Sequence, residues 1–172
     1  SSDVCSSDLD RLPRPSPIVP REFRFEIRER MSPEGEPLIE LEESEIEALV
    51  KRIADSGVEA VAICLLHSYA NPKHERRIRD AVKKVVPFVC ASSDINAEFR
   101  EYERTSTAVL NAILMPIVSG YVESLQNELE CNHLADRLHI VSSNGGSLTA
   151  AMAREKPLGL LMSGPAAGVA AA

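Results

Sequence analysis

The sequence predicts an α/β domain built on a mainly parallel sheet with crossover helices. Residues 58–67, "VEAVAICLLH", and 88–93, "FVCASS", are almost unbroken apolar runs, as expected of strands covered on both faces. A helical pattern lies between them, and strand–helix–strand with two apolar strands is the signature of a right-handed parallel crossover. At 172 residues, 44% hydrophobic and 26% charged, the chain has ordinary globular composition and length enough for a sizeable core.

Residues 1–9, "SSDVCSSDL", repeat "SSD", show no periodicity and read as a translated sequencing adapter outside the fold. Residues 10–20 form a proline-rich connector. Phe23, Phe25 and Ile27 alternate with charged residues as a strand with one wet face, "SPEGEP" turns, and "LIEL" returns to complete a hairpin. Ser44 and Glu47 make a capping box for a helix that buries Ile46, Leu49, Val50 and Ile53 and stops at Gly57. Asn71 and Pro72 start the crossover helix, which turns Ile78, Ala81, Val82 and Val85 inward until Pro87. Residues 101–130 are helical, with Val109, Leu110, Ile113 and Leu114 inward before Pro116 and Ile117, Val118, Tyr121 and Leu125 after it; Pro116 is expected to kink or split the helix. "RLHIVSS" is a strand, "NGGS" a turn, "LTAAMAREK" a short helix and "LGLLM" a buried strand. Ser163 and Gly164 then make a corner, and Pro165 opens a small-residue helix suited to very close packing.

The formal charge of −7 and the absence of Trp argue against a nucleic-acid surface, which needs a basic stripe and stacking aromatics. "KHERRIRDAVKK" mixes its bases with acids at helical spacing and reads as a solvated helix face. No apolar run reaches the roughly 20 residues of a membrane span and no signal peptide opens the chain, so the expected location is cytoplasmic, without membrane contact. Cys64, Cys90 and Cys131 are scattered, so they form neither a zinc site nor a disulfide framework; Cys64 and Cys90 read as reduced core thiols. His67, His74, His133 and His139 lack ligand spacing and suit surface or structural roles better than metal.

Three stretches put polar or glycine-rich groups where α/β folds bind ligands, beyond strand ends. In residues 142–147, Asn144, Gly145, Gly146 and Ser147 either expose N–H groups to an anion or nucleotide or simply make a turn capped by Ser147. Ser163, Gly164 and Pro165 either form an anion site at a helix start or cap that helix for tight packing. In "EYERTST", Arg104 with Thr105 beside it is the candidate for holding a substrate carboxylate or phosphate, against the alternative of a solvated first turn. No residue is assigned to the chemical step.

In order and spacing, "LLHSYANPKHE", "EYERTSTAVLNA", "SSNGGS" and "SGPAAGV" together resemble the hydantoinase A and 5-oxoprolinase family, over residues 21–172. The resemblance implies an actin-like ATPase fold, ATP and Mg2+ as cofactors, and ring opening of a cyclic amide activated by phosphorylation. It also implies a hydantoinase B-type partner subunit. Residues 21–95 correspond to the end of the family's N-terminal region and residues 96–172 to the start of its core domain. "SGPAAGV" then resembles the small-residue helix connecting the two lobes beneath the nucleotide cleft. The family's acidic-Gly-Gly-Thr phosphate loops have no counterpart here, so the expectation is an internal fragment, inactive alone. Two other readings stay open: a non-catalytic nucleotide-binding or interaction module, and a subunit of an ATP-dependent ketone carboxylase. The substrate and the oligomeric state are not legible.

Overall fold

The computed structural model describes residues 17–134 and 138–171; the adapter-like residues 1–9 and most of the connector lie outside them. Its centre is a parallel pair, β3 (Ala60–Ile63) and β4 (Phe88–Ala91), in the register Ala60↔Phe88 to Ile63↔Ala91. The helix α2 (Lys73–Val82) crosses between them, so the predicted crossover is present. Alternation along the strands decides what covers each face. Ile63 and Val89 meet α1 (Glu43–Ser56) and α2 through Ile46, Leu49, Ile53, Ile78 and Val82. Cys90 turns the other way, against Ala112 and Met115 of the long helix α4 (Glu101–Cys131).

The described residues do not form a mainly parallel sheet. They form three separate two-stranded sheets, and the two besides β3–β4 are antiparallel. The first is the hairpin β1 (Arg30–Met31) and β2 (Pro37–Ile39), which lies later than the alternation of Phe23, Phe25 and Ile27 suggested. Those three residues instead belong to a short 3-10 turn and an extended arm, with Phe25 and Ile27 packed on the core. The second is β5 (Ile140–Val141) with β6 (Ser147–Leu148), so "NGGS" closes a hairpin before α5 (Ala150–Glu155) begins.

Gly57 stops α1 in the left-handed region as expected, φ 68°, but Glu42 occupies the N-cap and no side chain caps the helix, so the Ser44–Glu47 box does not form. Residues 157–162 are a 3-10 helix (Pro157–Leu160) and a turn instead of a strand. Pro157 denies a ladder its donor, and the Leu158 N–H donates to the Asn111 side chain at 3.3 Å while the Gly159 carbonyl accepts from Ser143 N at 2.7 Å. The last helix, α6 (Ser163–Ala171), therefore starts at Ser163 and takes Pro165 into its first turn.

Helix α4 runs unbroken through Pro116. Its buried face is Arg104, Ala108, Asn111, Ala112, Met115 and Val122, whereas Leu110, Ile113, Ile117 and Tyr121 are exposed. The buried polar groups take the inward face and turn the bulkier apolar residues outward. By length and composition α4 is apolar enough to cross a membrane, contrary to the sequence reading; here one side of it packs on β3, β4 and α5, with 28% of its most apolar stretch buried.

Candidate functional site

Leu65 in the loop after β3, Glu75 on α2, Ser92 at the start of the short helix α3 (Ser92–Ile95) and Arg104 on α4 meet at the carboxyl ends of β3 and β4. Glu75 is fully buried on α2, on the same face as Ile78 and Val82. Its Oε1 accepts from Leu65 N at 2.8 Å and Ser92 Oγ at 2.7 Å; its Oε2 accepts from Ser93 N at 2.9 Å and Ser93 Oγ at 2.7 Å. Arg104, 1% exposed, donates from Nε to Ser92 Oγ at 3.1 Å. Its two terminal nitrogens donate to the carbonyls of Glu98 and Leu65, each at 2.8 Å. A buried acid and a buried base are thus joined through one serine and satisfied by backbone groups, the condition under which burying charge is tolerable.

The solvated reading of "KHERRIRDAVKK" is corrected here, since His74 and Glu75 are both buried. His74 Nδ1 lies 2.8 Å from Glu29 Oε2, and its Nε2 lies 3.5 Å from Glu40 Oε2, which ties α2 to the arm and to the strand end after β2. The signal was present in the sequence: Glu75 falls three and seven residues before Ile78 and Val82, and Arg104 falls four, seven and eleven before Ala108, Asn111 and Met115.

Thr105, next to Arg104, is half-buried and lines a largely apolar cleft of about 870 Å3 along β3, between the arm and α4. Cys64 lines the same cleft, and its thiol is pushed up to about 12, first by burial and then by the charge of Glu75. Burial likewise pushes Cys90 up to about 11; Cys90 is the buried core thiol expected, whereas Cys64 is half-buried on the cleft wall. Among the described residues no group of three His, Cys, Asp or Glu side chains is placed to hold a metal ion.

The other two predicted stretches are brought side by side. In the β5–β6 turn, Gly145 takes φ 80° and its N–H bonds to the Ser142 carbonyl at 2.9 Å, while Gly146 N–H bonds to Asn144 Oδ1 at 3.0 Å. Ser142 Oγ also bonds to Asn144 Oδ1. These turn donors are therefore already committed. Ser143 Oγ accepts from Met162 N at 3.0 Å, which fastens the turn to the start of α6. The N–H groups of Ser163 and Gly164 make no hydrogen bond among the described residues, leaving the first turn of α6 as the free donor set. Nothing stands within 4 Å of where a Cβ on Gly164 or Gly168 would be, and Val169 is 81% exposed, so within the described residues α6 is not the closely packed helix its composition suggested.

Two family models match the chain: the one described as Hydantoinase/oxoprolinase N-terminal region over residues 4–86, and the one described as Hydantoinase/oxoprolinase over residues 104–172. An uncharacterized protein of Methanocaldococcus jannaschii is 37% identical over 160 residues, 92% of this chain and 24% of that protein. Caprolactamase subunit alpha of Pseudomonas jessenii is 34% identical over 151 residues, 87% of this chain and 22% of that one. The crystal structure of the ATP-dependent caprolactamase from that organism superposes with a TM-score of 0.78 at 33% identity, over 91% of this chain and 23% of its own. The nucleotide-free structure of an ATP-dependent acetone carboxylase gives a TM-score of 0.77 at 26% identity, over 94% of this chain and 23% of its own. The chain spans about a quarter of the length of these four relatives. With the N-terminal and core family models matching in succession, and the same fold in two solved relatives, the chain belongs to the hydantoinase/oxoprolinase family.

Proposed function

We propose that the full-length protein carrying this chain is an ATP-dependent hydrolase that opens a cyclic amide, and that this chain supplies one wall of the nucleotide cleft in an actin-like ATPase fold. The observation that carries the reading is the bond from Met162 N to Ser143 Oγ, which sets the "SNGGS" turn against the free donors of α6. Ser163 and Gly164, with Pro165 behind them in the first turn of α6, would donate to phosphate groups there, while the turn of Asn144, Gly145, Gly146 and Ser147, its glycine donors committed internally, would close the wall beside them. ATP, with its magnesium ion, would supply a phosphoryl group that makes the amide oxygen a better leaving group.

Arg104 braces the wall behind the strand ends, and Thr105, half-buried in the cleft beside it, is the member of that pair left to meet a substrate. A relative that is a named subunit of a caprolactamase supports a partner subunit for the full-length protein, which we take to be of the hydantoinase B type. The likeness to acetone carboxylase favours a second reading, activation of a ketone for carboxylation.

The test is phosphate release from ATP by the full-length protein, with and without its partner, in the presence of 5-oxoproline, hydantoin, a simple lactam, or acetone with bicarbonate. Release coupled to ring opening is the expected result. Bicarbonate-dependent ketone consumption would move the assignment to a carboxylase, and nucleotide binding without turnover would leave a binding module.

A further inference from the structure

His67, Tyr69 and Glu101 meet just beyond the carboxyl end of β3, outside both the nucleotide wall and the Glu75 network. His67 sits in the left-handed region, φ 57°, where non-glycine residues are uncommon. Its carbonyl accepts from Ala70 N at 3.0 Å and Asn71 N at 3.4 Å, which holds that conformation. Glycine, asparagine and histidine all tolerate that region, so the turn does not by itself require an imidazole.

The ring is 22% exposed, and its Nδ1 lies 3.4 Å from the Tyr69 hydroxyl and 3.9 Å from Glu101 Oε1. Glu101 opens α4 with its side chain 37% exposed, yet Oε1 is the oxygen turned inward, buried and without a hydrogen-bond partner among the described residues. A buried carboxylate oxygen left unpaired is costly, and the group it faces is His67. Tyr69 packs edge-on against the His67 ring, and the Arg104 guanidinium lies 5.6 Å from the centre of the Tyr69 ring. The buried network therefore braces the position. No hydrogen bond reaches His67 Nε2 among the described residues.

We propose that His67 and Glu101 form an acid–base pair for the ring opening inferred above: His67 is the catalytic residue, acting through Nε2, and Glu101 is a positioning residue, acting through Nδ1. The inference rests on that functional reading. A carboxylate behind one imidazole nitrogen with the other left free is the arrangement that activates a water or a hydroxyl, and the end of a parallel strand is where such folds bind ligands. The 3.9 Å from Nδ1 to Glu101 Oε1 is longer than a hydrogen bond, as catalytic contacts often are in ligand-free enzymes before they tighten on binding. In the step, water's oxygen bonds the amide carbon while one of its protons passes to Nε2. That proton then goes to the ring nitrogen as the C–N bond breaks, leaving an amine and an acyl phosphate on the former amide oxygen, and a second water splits the acyl phosphate into the acid and inorganic phosphate.

The experiment uses the full-length protein with the cyclic amide that the wild type turns over. His67→Gly suits the positive φ and leaves room for a free imidazole, and Glu101→Gln keeps the shape without the charge. We expect kcat to fall about 10²-fold or more in His67→Gly with KM changed less than about threefold, the range for losing a general acid–base group. Added imidazole should restore kcat in His67→Gly at least about tenfold and leave the wild type and Glu101→Gln unmoved. Glu101→Gln should lower kcat with KM steady. Should His67→Gly fail to fold, His67→Asn, which also tolerates this backbone, takes its place, and a kcat loss in that folded variant is the expected result. A kcat within about threefold of wild type in either His67 variant, or a loss in folded His67→Gly that imidazole does not rescue, overturns the pair while leaving the hydrolase intact. A wild type that opens no cyclic amide overturns the functional reading and the pair with it.

Discussion

Glu75→Gln is the sharpest test of the buried network, because it changes one atom and leaves shape and volume alone. Each Glu75 oxygen accepts one backbone N–H and one serine hydroxyl: Leu65 N and Ser92 Oγ on Oε1, Ser93 N and Ser93 Oγ on Oε2. Whichever way the glutamine amide turns, its NH2 faces one of those backbone N–H groups. A hydroxyl can rotate to accept from it, but a backbone N–H cannot. One buried donor is therefore stranded at about 1–3 kcal/mol, and charge-assisted bonds worth about 1.5–3 kcal/mol each are weakened, with the buried Arg104 losing its nearby countercharge. A total loss of about 3–5 kcal/mol follows. With a urea m-value of about 2 kcal/mol/M, the unfolding midpoint followed by circular dichroism should drop by about 1.5–2.5 M. Glu103→Gln, on the exposed side of the same helix start as Arg104, is the control, expected within about 0.5 kcal/mol of wild type. A Glu75→Gln midpoint within about 0.5 M of wild type would refute the claim that this carboxylate organises the strand ends.

Thiol labelling at pH 8 followed by peptide mapping should modify the exposed Cys131 quickly and spare Cys64 and Cys90 until the chain unfolds. Both of these thiols have pKa values raised from 9.0, to about 12 and about 11, so the unfolded chain ionises first. The melting temperature should therefore fall as pH rises from about 9 toward 11–12, and less steeply in a Cys64→Ala, Cys90→Ala variant compared with its own value at pH 8. A Cβ at Gly164 or Gly168 meets nothing within 4 Å, so valine at either position should leave the chain melting within about 0.5 kcal/mol of the parent. In the full-length protein the same variants should lower turnover, and unchanged turnover would remove α6 from the hinge between lobes. Titrating ATP and magnesium into this chain alone in a calorimeter should give no micromolar binding and no phosphate release, since among the described residues of the two glycine-rich stretches the committed turn donors of Gly145 and Gly146 leave the start of α6 as the free donor set. Micromolar binding with turnover would make the chain a self-contained nucleotide-binding domain.

The crossover from β3 through α2 to β4, the stop at Gly57 and the buried core thiol of Cys90 were legible in the sequence, because each depends on a local pattern: an apolar run, a helical period, a glycine at a helix end. So was the family, whose motifs are short strings in a set order. Local pattern failed where a distant group took over. Residues 157–162 have a strand's composition, but Asn111 and Ser143 capture their backbone groups, so they coil as a 3-10 helix and a turn. The inward face of α4 was read from Leu110, Ile113 and Tyr121, and Arg104 and Asn111 took it, since a charge satisfied by Ser92, Glu98 and Leu65 can be buried where hydropathy alone would place it outside. Charged residues in "KHERRIRDAVKK" look alike one by one. Only the fold, by bringing Leu65, Ser92 and Ser93 around one of them, decides that Glu75 goes inside while Arg76 stays at the surface, because the cost of burying a carboxylate is set by donors that lie ten to eighteen residues away along the chain.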